Sequence, residues 1–216
     1  MQVLAMPLFI YQILFCLIMS LAFIRREGVI NKLFPIFFLL LLGVEYYCAW
    51  LYKLDKPNNH IYNFWFPLEY IFYSYCVITY ISDRAKRKIS VALIIAYAVF
   101  TAINYSFKKD FYEFASLAYL VGFVAIFVII LFKLYEILNQ EIIYNPFKNE
   151  IFWFCLGILV VNIFGVFHFG AVNYMYKHNT ALYNSLQRLN VYLTEFQYFC
   201  FFIYFFCKWK YQKSHI

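Results

Sequence analysis

Seven predominantly apolar stretches, at 4–24, 33–52, 64–82, 89–106, 116–135, 151–171 and 191–208, leave this chain one class of fold. Each is close to the ~20 residues that a helix needs to cross the hydrocarbon core of a bilayer. Only 13% of the 216 residues are charged and 65% are hydrophobic. A water-soluble fold of that size could not bury so much apolar surface, and lipid as solvent removes the problem. The expectation is an all-α integral membrane protein, a seven-transmembrane helix bundle forming a single polytopic domain over residues 1–216.

Orientation follows from charge. No lysine or arginine precedes the first stretch, whereas Arg25 and Arg26 follow it directly, which favours an uncleaved helix with its N-terminus outside. One side of the membrane would then hold Arg25, Arg26, Lys32, Arg84, Lys86, Arg87, Lys88, Lys133, Lys148, Lys208, Lys210 and Lys213. The other would hold Lys53, Lys56, Lys108, Lys109, Lys177 and Arg188, half as many. The positive-inside rule places the C-terminus in the cytoplasm, and the expected home is a bacterial inner membrane. Asn145-Pro146 marks a turn before the sixth span. In the outer loop 172–190, the run NTALYNSLQRLN is expected to form a short interfacial helix capped by Asn179 or Thr180.

With orientation set, the polar groups inside the spans can be placed by depth. Glu45 lies past the middle of the second span and Glu69 about a turn and a half below the outer surface. Asn104, Asn162, His168 and Glu195 also fall in the outer half or near mid-membrane, and His60 and Asn63 lead into the third span. Ionised groups are costly in lipid, so this sorting predicts an outward-facing acidic cavity serving as a ligand or ion pathway. Pro67 adds to it by freeing a backbone group near Glu69. Each residue also has a plainer reading. Asn104 and Glu195 lie near helix ends, where interfacial polar groups are ordinary. Glu195 also favours the positive end of a helix dipole, and a buried histidine is usually a hydrogen-bonding one.

The sequence offers no metal-ligand spacing, no nucleophile motif and no phosphate-binding loop. No catalytic residue, metal or cofactor is therefore assigned. The six cysteines lie in or at the end of apolar stretches and read as small apolar fillers rather than a disulfide framework. Arg25, Arg26, Arg84, Lys86, Arg87 and Lys88 form a basic cytoplasmic face. Its expected partners are anionic membrane lipids and, more speculatively, a nucleotide or nucleic-acid signal. Small residues at Ala118, Gly122, Gly157 and Gly165 permit close helix approach, within one chain or in a homo-oligomer.

Two resemblances attach to these features. FPLEYIFYSY, residues 66–75, resembles the PxExxFF region of the membrane carotenoid (lycopene) cyclases through Pro67, Glu69, Phe72 and Tyr73. Tyr70 stands where that family usually has a second carboxylate. The resemblance implies isoprenoid chemistry. The spans also admit a 3+1+3 parallel repeat, since HIYN precedes Glu69 and HNTALYN precedes Glu195. That pattern is similar to the sugar-transporting SWEET architecture, without its Pro-Gln signature. The leading functional expectation is a pore, transporter or ligand-gated membrane effector, such as a bacterial defence effector. The alternatives are an intramembrane enzyme on a lipid or isoprenoid, with Glu69 or Glu45 as acid or base, and a membrane sensor or assembly partner.

Overall fold

A computed structural model describes residues 8–25, 28–107, 112–139 and 145–212. Arg26, Glu27, Lys108, Lys109, Glu141, Lys213 and the start of the first expected span lie outside the described residues, as do the side chains of Lys177 and Thr180. Among the described residues no strand forms. The helices are α1 Leu8–Leu21, α2 Val29–Lys53, α3 Asn59–Thr79, α4 Arg84–Ser106, α5 Ser116–Leu138, α6 Glu150–His178 and α7 Thr180–Gln212, with a 3-10 turn at Pro146–Lys148. Four helical segments are long and apolar enough to cross a membrane: α2, α4, α5 and Glu150–Phe169 of α6. The described residues form helices and no strand, consistent with a helical membrane protein.

Side-chain distribution fits that class. Ile36, Leu39 and Leu40 on α2, Ile95 and Val99 on α4, and Val124 on α5 all point out of the bundle. In lipid this apolar surface needs no cover. Helix association in that solvent comes from close packing rather than from a hydrophobic force, which accounts for the weight of aromatic contacts inside. Phe37 of α2 stacks on Phe72 of α3 with centroids 4.0 Å apart, and Phe154 of α6 stacks on Phe201 of α7 at 4.8 Å. Tyr73 of α3 meets rings from α2, α6 and α7 and is only 1% exposed. Pairs of this kind contribute about 0.5–1.5 kcal/mol each beyond the area they cover. Thus α3 reaches rings on three other helices through one side chain, while α4 sits at the edge with only Ser90, Tyr97 and Thr101 buried.

Local chemistry explains the helix ends. Asp83 caps α4 by accepting from the backbone of Ala85 (2.7 Å) and Lys86 (3.2 Å), and Asn149 caps α6 through Ile151 (3.1 Å). Asn145 does the same for the turn at Pro146. The expected loop 172–190 takes a different form. α6 continues to His178, and α7 starts at Thr180 with Asn179 accepting from Leu182 at 3.0 Å. Asn179 is the expected cap, but the helix it caps runs unbroken into the last span instead of lying apart. No glycine or proline interrupts 173–212, so polarity there leaves the helix intact. At 1.5 Å per residue, α6 and α7 reach about 43 and 50 Å, well beyond a ~30 Å hydrocarbon core.

The helices alternate in direction, which gathers the end of α3, the start of α4, the end of α5 and the end of α7 at one end of the bundle, here called the basic end. The small residues are used within the chain. A Cβ at Gly157 would lie 2.9 Å from Cys200 Cβ and 3.1 Å from the carbonyl of Gln197, so α6 and α7 are in backbone contact there. Gly122 of α5 likewise makes room for Tyr70 and Tyr97, and Gly165 of α6 for Tyr119. All six cysteines are buried and free.

Candidate functional site

Glu45 and Glu69 come together. They project from α2 and α3, both half-buried, and are within electrostatic range of each other. Spacing on α3 supplies their partners. Tyr73, one turn after Glu69, donates to its Oε1 at 2.7 Å. Trp65, one turn before it, directs a buried indole N–H towards the same carboxylate without reaching hydrogen-bond geometry. Tyr62, two turns before Glu69, donates across to Glu45 Oε2 at 3.1 Å. Tyr198 of α7, 3% exposed, lies within electrostatic range of both acids. Among the described residues, neither carboxylate meets a lysine or arginine. Three helices therefore surround an acid pair with phenols and leave it without a built-in cation.

The neighbouring layer is neutral and tightly bonded. Tyr70 donates to Asn162 Oδ1 at 2.6 Å, and Asn162 returns its amide to the carbonyl of Ile158 at 2.7 Å. Beside it lies a crevice of about 10 Å³ lined by Tyr62, Asn63, Pro67, Tyr97, Tyr105 and Tyr119 among others. That is room for about one water molecule. A second, larger hollow of about 310 Å³ opens on the bundle surface between α1 and α7, lined by Tyr11, Gln12, Phe15, Tyr198, Phe199 and Phe202. Gln12 Oε1 is buried there without a partner.

The other expected pathway residues are spread out and mostly serve the fold. Asn63 donates to the carbonyl of Glu113 (2.8 Å) and accepts from the N–H of Ala115 (2.7 Å), fixing the approach to α5. Pro67 has no N–H for the carbonyl of Asn63, and Tyr105 from α4 donates to that oxygen instead. The backbone group freed by Pro67 is thus satisfied by a side chain. His60 packs against Tyr112 with ring centroids 5.3 Å apart. Asn104 is half-buried on α4. His168 is bonded through Nε2 to Gln187 Oε1 at 3.0 Å, tying α6 to α7. Glu195 is half-buried on α7, one turn before Tyr198, with no hydrogen bond to either acid.

At the basic end, Arg25, Arg84, Arg87 and Lys88 are exposed, and Lys86 pairs with Asp83 at 3.9 Å. Two residues that the charge count placed on this face, Lys133 and Lys208, lie just inside it. Lys208 of α7 is 4% exposed and donates to Asn31 of α2 (2.6 Å) and to its own neighbour Tyr204 (3.2 Å). The Tyr204 and Tyr80 hydroxyls are 3.1 Å apart. The carbonyl of Tyr80, at the end of α3, accepts from Lys133 of α5 at 2.5 Å. Lys133, 7% exposed, pairs with Glu136 at 3.2 Å, and Glu136 also accepts from the backbone of Ser82 and Asp83. The signal was present in the sequence: each lysine is embedded in apolar residues, IILFKLYEIL and FFIYFFCKWK, where a charge that only sets topology would stand clear of them.

Among the described residues, no three His, Cys, Asp or Glu side chains gather closely enough to hold a metal ion. No protein-family model, curated protein or solved structure matches this chain.

Proposed function

We propose that the chain is a seven-span protein of a bacterial inner membrane, N-terminus outside and C-terminus in the cytoplasm, that works as a gated carrier of protons or small cations. The observation that carries this reading is the Glu45–Glu69 pair. Two carboxyl groups within electrostatic range of each other in a membrane bundle, with phenol donors and, among the described residues, no lysine or arginine bound to them, have charge to offer a bound cation or a proton to exchange. Close packing around them favours a carrier over an open pore, since the adjoining crevice of about 10 Å³ is too narrow for a hydrated ion. The test is proton flux into liposomes holding the purified protein, an entrapped pH dye and a potassium diffusion potential. Flux above that of empty liposomes, lost in Glu69→Gln, is expected. Equal flux in wild type and variant overturns the assignment.

A second reading is favoured by the hollow between α1 and α7. Its volume of about 310 Å³ lies within the range of small-molecule sites, its walls are mostly aromatic, and Tyr198 connects it electrostatically to both acids. It suits an apolar chain arriving from lipid, with Glu69 or Glu45 as acid or base on its polar head. Conversion of a supplied isoprenoid, lost in Glu69→Gln and without proton flux, selects this reading over the first.

A further inference from the structure

The two buried lysines have a cost that packing alone does not explain. An ammonium group loses hydration on burial, and apolar replacements of such networks are often neutral or stabilising. What the network does is join helices. Lys208 and Tyr204 belong to α7, Asn31 to α2, Tyr80 to the end of α3, and Lys133 with Glu136 to the end of α5. Three of these helices are the ones that carry the acid pair and Tyr198. The distance along α2 from Asn31 to Glu45, and along α3 from Tyr80 to Glu69, is about 16–21 Å at 1.5 Å per residue. A rigid helix transmits a tilt or slide over that span. The hydrogen bonds to Asn31, Tyr204 and the Tyr80 backbone are made to neutral oxygens, which water replaces readily; the charged groups facing the lysines are Glu136, 3.2 Å from Lys133, and Glu150 of α6, within electrostatic range of Lys208.

The geometry points to a latch: the chain Asn31–Lys208–Tyr204–Tyr80–Lys133–Glu136 holds the basic end of the bundle shut and opens when charge at Glu45 and Glu69 is neutralised by a bound cation or proton. This rests on the acid pair being the ligand site. A latch of this kind has two arrangements, and the acid pair biases one of them through α2, α3 and α7.

Native thiols report its state. Cys76 is 1% exposed and lies within electrostatic range of Lys208. The experiment uses the full chain in nanodiscs with Cys76 as its sole cysteine, N-ethylmaleimide as probe, and mass spectrometry as readout. Wild type should stay protected, and Lys208→Met should lose protection. Glu45→Gln, which mimics neutralisation on α2 rather than on the helix that carries the thiol, should also lose it. If Lys208→Met does not fold, Tyr80→Phe removes one hydroxyl from the same chain and should expose Cys76. Protection in every variant would show that the network is packing only, and exposure in Lys208→Met or Tyr80→Phe but not in Glu45→Gln would show no coupling; either overturns the latch. Labelling does not depend on flux, so a failed latch leaves the liposome result standing and a failed carrier is seen there alone.

Discussion

If Glu45 and Glu69 share a site, their substitutions cannot be independent. Glu69→Gln keeps an acceptor for Tyr73, and Glu45→Gln keeps one for Tyr62, so each loses only the extra strength of a charged hydrogen bond. Bonds to charged groups contribute about 1.5–3 kcal/mol against about 0.5–1.5 for neutral ones, so that loss is about 1–1.5 kcal/mol. Each single variant also relieves the repulsion between the carboxylates, and this relief is gained in full by the first change. The double variant therefore loses two charged bonds but gains the relief once. It should be less stable than the sum of the singles by the repulsion itself, on the order of 0.5–3 kcal/mol for residues coupled in one network.

The assay is thermal unfolding of the four proteins in nanodiscs, where 1 kcal/mol corresponds to about 2–4 °C for a chain of this size. The coupling is present only while both carboxyls are ionised. In acidic buffer both carry protons in the wild type, so there is no repulsion to relieve and the coupling should vanish. Additivity within about 0.3–0.5 kcal/mol in alkaline buffer would mean that the two acids do not feel each other, and the proposed site would be lost.

Two further predictions concern the frame that holds the site. Tyr105→Phe strands the carbonyl of Asn63 that Pro67 leaves open, at a cost of about 1–3 kcal/mol, and adding Pro67→Ala should recover part of it by restoring the helix N–H, both read as shifts in melting temperature. Gly157→Ala should lose about 1–3 kcal/mol by overpacking against Cys200 and the Gln197 backbone, read in the same melts. Gly43→Ala, with nothing within 4 Å of the new methyl, should be neutral or gain about 0.5–1 kcal/mol, and equal losses at both glycines would refute the packing argument.

Hydropathy located the helices well because a span is a local property, about twenty residues of one polarity. It misplaced the boundary of α7 for a physical reason. The run 180–190 becomes polar where the chain leaves the apolar layer, while helix propensity continues across that change. Glu45 and Glu69 were each legible as candidates because a carboxylate in an apolar segment has few places to go, whereas their nearness across α2 and α3 was not. Asn63 carried the same polar signal and turned out to be a clamp on the loop before α5. Its partners Glu113 and Ala115 are backbone groups, and no residue type in the sequence announces a backbone acceptor.

The lysines show the converse error and sharpen the picture of how charge is arranged. Counted by position, Lys133 and Lys208 are two more members of a basic face. Placed in the structure, they differ from Arg84, Arg87 and Lys88, which stand in solvent at the same end. The exposed group suffices to orient the chain, so the buried pair needs another reason to be charged. The acid pair poses the matching question, since among the described residues its carboxylates meet no lysine or arginine, while the buried lysines donate to neutral oxygens and face Glu136 and Glu150. Direct pairing of the two clusters would have satisfied both charges at once. Their separation along the same helices, with the Phe37, Phe72, Tyr73, Phe154 and Phe201 rings in the core they frame, leaves the acids open to an external charge and the lysines open to exchange. A bundle built only for stability would have joined them or replaced both with apolar side chains.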